Sequence, residues 1–372
     1  MKPLSLLFLS TPVGPLGSGL GGGVELTVTN LARAMAALGH QVTIVTPAGA
    51  EPALFGLEAL EGCAIDVVEV SGSWQVTAQT QQRDHPVTVG TALANIWDYA
   101  RQVQSRYDLL VNFAYDWLPY YLTPFFETPV AHFVSMGSLS DHMDDVIAQV
   151  SNQFPGTVGA YTQAQAQTFE RVSGVGAWQI LGSSVDMAQY TYCAQPDSFM
   201  AWVGRISPEK GLEDAIAAVQ MAKCPLKIFG KLENPTYWAM CQQQIDRAAT
   251  NIPVEYVGFL STASLQRQLG RARALLMTPH WTEAFGIVAI EALACGVPVI
   301  AYRRGGPAEI VRPGRTGWLV DPENIAQLVA AIAQVDLLDR LACRQQAEAL
   351  YALPAWGKRF ERWFYNVVSG RV

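Results

Sequence analysis

Positive charge is scarce in the first part of this 372-residue chain. Residues 1–150 hold 5 Lys+Arg against 14 Asp+Glu, and the remainder holds 20 against 18. An acidic first half is a poor partner for nucleic acid or for an anionic bilayer. The six cysteines, at positions 63, 193, 224, 241, 295 and 343, form no CxxC pair and no Cys/His cluster. That usage fits a reducing compartment, taken as the cytoplasm, and offers no metal site. No apolar run reaches the roughly 18 residues of a membrane span. The opening Pro3–Leu9 run is too short for a signal-peptide core and leads into glycines. What remains is 50% hydrophobic and only 15% charged, the composition of a compact α/β globule. The length exceeds one ordinary core, so two domains are expected.

The chain opens as a βαβ unit. Leu4–Ser10 is a short apolar run suited to a buried parallel strand, Gly14–Gly23 a glycine loop, Val24–Leu38 an amphipathic helix and Gln41–Thr46 a second strand. The loop contains G-x-G-x-x-G at Gly17, Gly19 and Gly22. A dinucleotide site would also need an acidic residue at the end of the second strand, and Thr46–Pro47 stand there instead. The loop also begins too far beyond its strand for the tight turn, so the dinucleotide reading is set aside. Further strands are expected at Ile65–Val70, Asp108–Phe113, Pro129–Ser135, Val158–Tyr161, Val175–Leu181, Phe199–Val203, Pro225–Gly230 and Val254–Gly258. Between the first two, Ser71–Gly90 is polar and reads as a loop carrying Trp74 and His85. The aromatic run from Phe113 to Phe126 is expected to be mostly core, with any cleft-lining ring able to stack a flat ligand. Ile325–Leu350 reads as helical throughout. Trp356, Phe360, Trp363 and Phe364 mark an apolar stripe on a closing helix over Trp356–Val372.

The stretch Thr278–Ala301, TPHWTEAFGIVAIEALACGVPVIA, reads as a loop, a helix starting near Ala284–Gly286 and ending at Cys295–Gly296, and a buried strand. Glu283 precedes that helix and Glu291 lies eight residues on. On helical geometry the two carboxylates are about 12 Å apart and less than a quarter-turn apart around the axis. That spacing suits an extended ligand with hydroxyls at both ends and negative charge between. Backbone N–H groups at Phe285, Gly286 and Ile287 face the same direction. Arg205 and Lys210 flank another loop, after the Phe199–Val203 strand, where two cations can neutralise a diphosphate.

These residues carry a resemblance. Pro279, Glu283, Phe285–Gly286, Glu291 and Gly296-Val297-Pro298-Val299-Ile300-Ala301 together resemble the signature of family 4 glycosyltransferases, retaining enzymes of the GT-B fold. Gly204-Arg205 through Lys210-Gly211, Arg304-Gly305-Gly306 with Glu309, and Gly314–Asp321 resemble further motifs of that family. The resemblance implies two doubly wound Rossmann-like domains facing a cleft. An N-terminal acceptor-binding domain covers 1–186, a C-terminal donor-binding domain 187–352, and a helix at 353–372 returns to the first domain. It implies that Glu283 holds the donor sugar and Glu291 the nucleotide ribose, while Arg205 and Lys210 bind the diphosphate. Glu283, Arg205 and Lys210 would thus act in catalysis. Ala284, Phe285, Gly286 and Ile287 would lie along the donor, and Gly258, Phe259 and Leu260 would cradle its base. Gly22 and Gly23, in a segment resembling the family's Gly-Gly-x-Glu, would turn their amides to the diphosphate. Neither a metal nor a cofactor is implied, since relatives use cations and helix dipoles; the chain has no D-x-D motif. The co-substrate would be a nucleoside-diphosphate sugar, with UDP-glucose favoured.

The acceptor is less legible. Glu25, Asp116, His132, Ser135, Asp141 and His142 are the candidates to contact it. Many relatives end the Pro129–Ser135 strand with a His where this chain has Ser135. His132 lies on the opposite face of that strand, so it reads either as a core histidine or as a displaced cleft residue. Asp116 reads equally as a helix cap. The runs STPVGPLGSGLGGGVELT and HFVSMGSL are similar to cyanobacterial glucosyltransferases that act on tetrahydrobiopterin, which would suit an acidic, aromatic first domain. A polysaccharide, glycolipid or small alcohol remains an alternative acceptor, and a nucleotide-sugar epimerase or sensor an alternative use of the scaffold.

Overall fold

The computed structural model describes residues 2–51, 65–76, 90–174, 176–248 and 252–370. Cys63, His85, Val175 and most of the expected 71–90 loop lie outside the described residues. The chain forms two compact units: Met1–Ser183 with Leu353–Val372, and Ser184–Ala352.

In the first unit the strands are β1 (Ser5–Leu9), β2 (Gln41–Pro47), β3 (Ile65–Val70), β4 (Leu109–Asn112), β5 (Val130–Val134), β6 (Val158–Ala160) and β7 (Gln179–Ile180). They pair in parallel in the order β3-β2-β1-β4-β5-β6-β7. β1 is the pivot, with Leu6 in register with Val42 on one side and Leu109 on the other. The order of strands reverses between β1 and β4, and parallel sheets bind ligands outside the strand carboxyl ends at such a point. Continuous apolar strands are what this topology requires, because helices cover both faces. β5 is buried along its whole length. The helices are α1 (Gly23–Ala37), α2 (Ala92–Val103), α3 (Trp117–Leu122), α4 (Asp141–Gln153), α5 (Gln163–Ala166) and, from the end of the chain, α13 (Leu353–Ser369).

The closing helix belongs to this unit's core. Trp356, Phe360 and Phe364 are fully buried and Trp363 is 2% exposed. Phe360 packs 5.3 Å from Phe133, and Phe364 lies 6.3 Å from Phe8. Gly357 lets α13 approach Ala34 of α1. The two indoles are satisfied as well as buried, Trp356 donating to the Gly182 carbonyl (3.1 Å) and Trp363 to that of Gly156 (2.7 Å). Truncating Phe360 to Ala is expected to cost about 3–5 kcal/mol.

The second unit comprises β8 (Met200–Val203), α6 (Leu212–Ala222), β9 (Leu226–Phe229), α7 (Pro235–Arg247), β10 (Val254–Gly258), α8 (Thr262–Leu269), β11 (Leu275–Met277), α9 (Ile287–Ala294), β12 (Val299–Tyr302), α10 (Gly306–Ile310), β13 (Gly317–Val320), α11 (Ile325–Ala333) and α12 (Arg340–Tyr351). Its parallel sheet runs β10-β9-β8-β11-β12-β13, reversing between β8 and β11. The loops that leave these two strands carry Arg205, Lys210 and Glu283.

Two expectations are corrected. The 325–350 segment is two helices: α11 stops at Ala333, Val335–Leu337 forms a 3-10 turn, and Asp339 caps α12 by accepting from the Leu341 amide at 2.8 Å. Val335 and Leu338 point into the core at the break, so burial of the turn outweighs the helical propensity around it. Among the described residues of the 175–181 segment, 176–181, the strand is confined to Gln179–Ile180.

Candidate active site

The loop after β8 is fixed to the loop after β11. Pro208–Lys210 makes one 3-10 turn that ends at Gly211 in the left-handed region, φ 62°. A Cβ at Gly211 would collide with the Thr278 carbonyl, and the Thr278 hydroxyl donates to the Gly211 carbonyl at 2.7 Å. Only glycine allows this approach. The consequence is functional: Lys210 Nζ lies 2.5 Å from Glu283 Oε2, with both side chains largely buried. Trp281 Nε1 donates to the same oxygen at 3.2 Å, and the ammonium sits 4.8 Å from the Trp281 ring centroid. The structure thus brings a cation, a carboxylate and an aromatic face together at the carboxyl end of the sheet.

Arg205 stands with two carboxylates. Its Nη1 is 3.0 Å from Glu233 and its Nη2 3.0 Å from Glu209, which also accepts from Ser207 Oγ at 2.6 Å. His280 extends the polar network, with Nε2 at 2.8 Å from Asp214; Tyr302 donates to that same Asp214 oxygen at 2.6 Å. Both cations are thus already paired with carboxylates, Arg205 with Glu209 and Glu233 and Lys210 with Glu283, and any anionic ligand would have to exchange with these.

The helix that follows Glu283 starts at Ile287, directly after the Ala284–Gly286 stretch where it was expected. Gly286, φ 85°, is its N-cap and provides no side-chain hydrogen bond to the first amides of the helix. The Gly305–Gly306 pair explains how residues 283–286 hold their path. The Gly306 amide donates to the Glu283 carbonyl at 2.7 Å, and a side chain at either glycine would strike the backbone of Glu283 or Phe285. Ala284 and Phe285 are buried. Glu291 is 6% exposed and accepts a 2.6 Å hydrogen bond from the Tyr190 hydroxyl. Burial raises the Glu291 carboxyl above its ordinary range, opposed by that bond. Gly258 ends β10, its carbonyl accepting from the Gly230 amide at 2.9 Å. Phe259 beside it is exposed and Leu260 half-buried.

The first unit disperses its candidates. Glu25 is buried, and its carboxylate organises the glycine loop by accepting from the amides of Gly17 (3.1 Å), Gly19 (3.2 Å) and Gly21 (2.6 Å) and from Ser18 Oγ (3.3 Å). The Gly22 amide donates to the Gly19 carbonyl at 3.4 Å, and Gly23 opens α1. A ligand at the Gly22 amide would compete with this long bond to the Gly19 carbonyl. Asp116 caps α3, accepting from the Leu118 amide at 3.0 Å, and burial raises its carboxyl.

His132 is removed from the acceptor set. It is wholly buried, stacked 4.3 Å from Tyr120, with Nδ1 3.2 Å from Asn112 Nδ2 and Nε2 2.8 Å from Thr123 Oγ1. Thr123 spends its own proton on the Pro119 carbonyl, so the neutral imidazole carries its proton on Nε2. Burial pushes its pKa down to about 3. Ser135, just past β5, is 9% exposed. Asp141 and Asp145 project outward and share Arg171, at 3.1 and 2.5 Å, while His142 is exposed. Asp144 differs from both neighbours: it is 6% exposed, Ser138 Oγ donates to its Oδ2 at 2.8 Å, and its Oδ1 has no partner. Of the expected aromatic core, Phe113 and Tyr120 are buried, but Tyr121 and Phe125 are exposed.

Sequence reasoning passed over Tyr190, Trp281, the counter-ions Glu209 and Glu233, and Asp144. Two of them had a local signal, since Glu209 and Trp281 stand within the segments that carried Lys210 and Glu283. Tyr190, Glu233 and Asp144 gain their meaning only from distant contacts.

Two Rossmann-like units, with the polar cluster on the loops flanking a strand reversal, are the architecture of the GT-B fold. Residues 22–189 match the Glycosyl transferase 4-like domain, and residues 194–349 match the Glycosyl transferases group 1 family. Together these two glycosyltransferase matches span most of the chain, which is a glycosyltransferase that uses a nucleotide sugar. It is 25% identical to a glycogen synthase of Mycobacterium tuberculosis over 88% of this chain and 85% of the relative. It is 29% identical to D-inositol 3-phosphate glycosyltransferase 2 of Catenulispora acidiphila, over 58% of this chain and 53% of the relative. Among solved structures, Anabaena HepE in complex with UDP and glucose superposes with a TM-score of 0.74 at 20% identity, covering 98% of this chain and all (100%) of the other. A sucrose-phosphate synthase from Thermosynechococcus elongatus gives 0.76 at 20% identity, covering 99% and 100%. Among the described residues, no helix is long and apolar enough to cross a membrane.

Proposed function

We propose that this glycosyltransferase moves glucose from UDP-glucose, with retention at the anomeric carbon, to a small acceptor in the cytoplasm, tetrahydrobiopterin being the favoured one. The donor binds the second unit and the acceptor the first. The observation that carries the donor reading is the convergence of Lys210, Trp281 and Glu283 at one point, ahead of the helix that bears Glu291. Glu283 accepts from hydroxyls of the sugar and Glu291 from those of the ribose. Lys210 and Arg205 take the diphosphate, whose negative charge grows as the glycosidic bond breaks. When the phosphates arrive, Lys210 exchanges one anionic partner for another and Glu283 is released to the sugar. Phe285, Gly286 and Ile287, at an uncapped helix start, supply further positive potential. No side chain serves as a covalent nucleophile in this scheme; the acceptor attacks from the leaving-group side and passes its proton to the departing diphosphate. UDP-glucose is favoured because one solved protein of the same fold, Anabaena HepE, is seen with UDP and glucose, with UDP and with UDP-glucose.

The acidic first unit supports a neutral or cationic acceptor, and the aromatic rings after β4 support a planar one. Asp116, Ser135 and the segment of Asp141 and His142 remain its proposed contacts. A second reading, a glucan acceptor, draws on the glycogen synthase match along most of the chain. The test is a product assay with UDP-glucose and either tetrahydrobiopterin or maltooligosaccharide. UDP release coupled to an α-glucosylated pterin supports the first reading, and chain extension supports the second. Intact UDP-glucose in both, with turnover of GDP- or ADP-glucose, overturns the choice of base.

A further inference from the structure

We propose that Tyr190 is a positioning residue for the donor nucleotide, its hydroxyl holding the Glu291 carboxylate in the orientation that receives the ribose. The inference rests on the role given to Glu291 above.

Tyr190 lies in the segment that follows the boundary between the two units at Ser183–Ser184. That segment is tied down along the end of α9. Arg344 Nη1 donates both to the Tyr190 carbonyl (2.6 Å) and to the Ala294 carbonyl (2.7 Å). The Thr191 amide donates to Gln266 Oε1 (3.2 Å) and the Cys193 amide to the Cys295 carbonyl (3.0 Å). Arg340 Nε donates to the Cys193 carbonyl at 2.7 Å. With its backbone held on both sides, the Tyr190 ring has little freedom to move, and it is only 6% exposed.

A carboxylate taken out of water is costly unless donors reach it. The Tyr190 hydroxyl is such a donor, 2.6 Å from Glu291 Oε1. A phenol keeps its proton at neutral pH, and burial beside the carboxylate raises its proton affinity further, so toward Glu291 it acts as the donor. This fixes the polarity of the site. One oxygen of Glu291 is committed to the protein, and what remains is acceptor capacity facing ligand groups that donate, as the hydroxyls of a ribose do. A phenol in this place therefore makes Glu291 a rigid acceptor before the nucleotide arrives, which lowers the ordering cost of binding.

The experiment measures, by isothermal titration calorimetry, the affinities of UDP, GDP and ADP and of their 2′,3′-dideoxy analogues for wild type, Tyr190→Phe and Glu291→Gln. Phenylalanine keeps the ring and removes only the hydroxyl; melting temperatures check that all three proteins are folded. For the nucleotide that binds wild type best, Tyr190→Phe is expected to lose about tenfold in affinity. It should lose nothing further for the dideoxy analogue, because the two deletions act on one interaction. Equal losses for both ligands would assign Tyr190 a general structural role and overturn the inference. So would unchanged or tighter binding, which would make the phenol a competitor for Glu291. If Glu291→Gln also fails to change discrimination between ribose and dideoxyribose, or no nucleotide binds wild type, the donor reading itself falls.

Discussion

The carboxyl ends of the two sheets make an instructive pair. In the second unit, residues more than 60 positions apart converge: Lys210 meets Glu283 at 2.5 Å and Thr278 meets Gly211 at 2.7 Å. In the first unit, residues of similar chemistry scatter into structural work. Glu25 folds a glycine loop, Asp116 caps a helix, His132 fills the core and Asp141 faces solvent beside Arg171. The difference teaches that a polar residue in a ligand-binding fold is informative when glycines force backbones together around it. Gly211, Gly305 and Gly306 do this in the second unit by allowing approaches that any Cβ would block.

That contrast can be broken by experiment, beginning with the largest effect. Lys210→Ala should lower kcat by about 10²–10³-fold, since in the proposed mechanism it removes a charge that stabilises the leaving diphosphate. A loss confined to KM would place Lys210 in binding alone. His132→Ala should leave turnover per folded molecule near wild type while costing about 3 kcal/mol in denaturant-derived stability. A specific loss of acceptor KM with full stability would return His132 to the site.

The pH dependence of stability sharpens the same point. The folded-state pKa of His132 is about 3 against an ordinary 6.5, so the unfolded chain binds the proton first. Its contribution is complete above pH 6.5 and is lost as pH falls toward 3, at about 1.4 kcal/mol per unit. His132→Ala should flatten that slope. Asp144 runs the other way: burial raises its carboxyl, so its contribution is greatest below the ordinary carboxylate range and is lost as pH rises through the raised value. Arg205→Ala should weaken nucleotide binding about tenfold and make it less sensitive to salt than in wild type. An unchanged salt slope would count against a diphosphate contact. Arg171→Ala, at an exposed pair, should leave the denaturation midpoint and the turnover near wild type.

Much of this architecture was legible in the chain. Strands such as Ser5–Leu9 and Val299–Tyr302 announce themselves because a buried parallel strand is a near-continuous apolar run. The donor segment was legible because its glycines and prolines answer to backbone geometry close in sequence. The break after Ala333 was not, because the burial of Val335 and Leu338 that decides it comes from tertiary packing. The counter-ions of Arg205 were hidden for a related reason. Glu209 is four residues away, but Glu233 reaches it only through the β8–β9 crossover. Asp144 reads like Asp141 and Asp145 in a row of acids; only the turn of α4 sends one carboxylate inward and two outward.

The measurement that tests the central claim most directly uses one variant, Glu283→Ala, and two readouts on the same sample. Sugar transfer from the nucleotide sugar and affinity for the bare nucleoside diphosphate are compared with wild type. The account predicts that transfer collapses while the diphosphate still binds within a few-fold of wild type. Loss of both together would contradict the assignment of Glu283 to the sugar end of the donor.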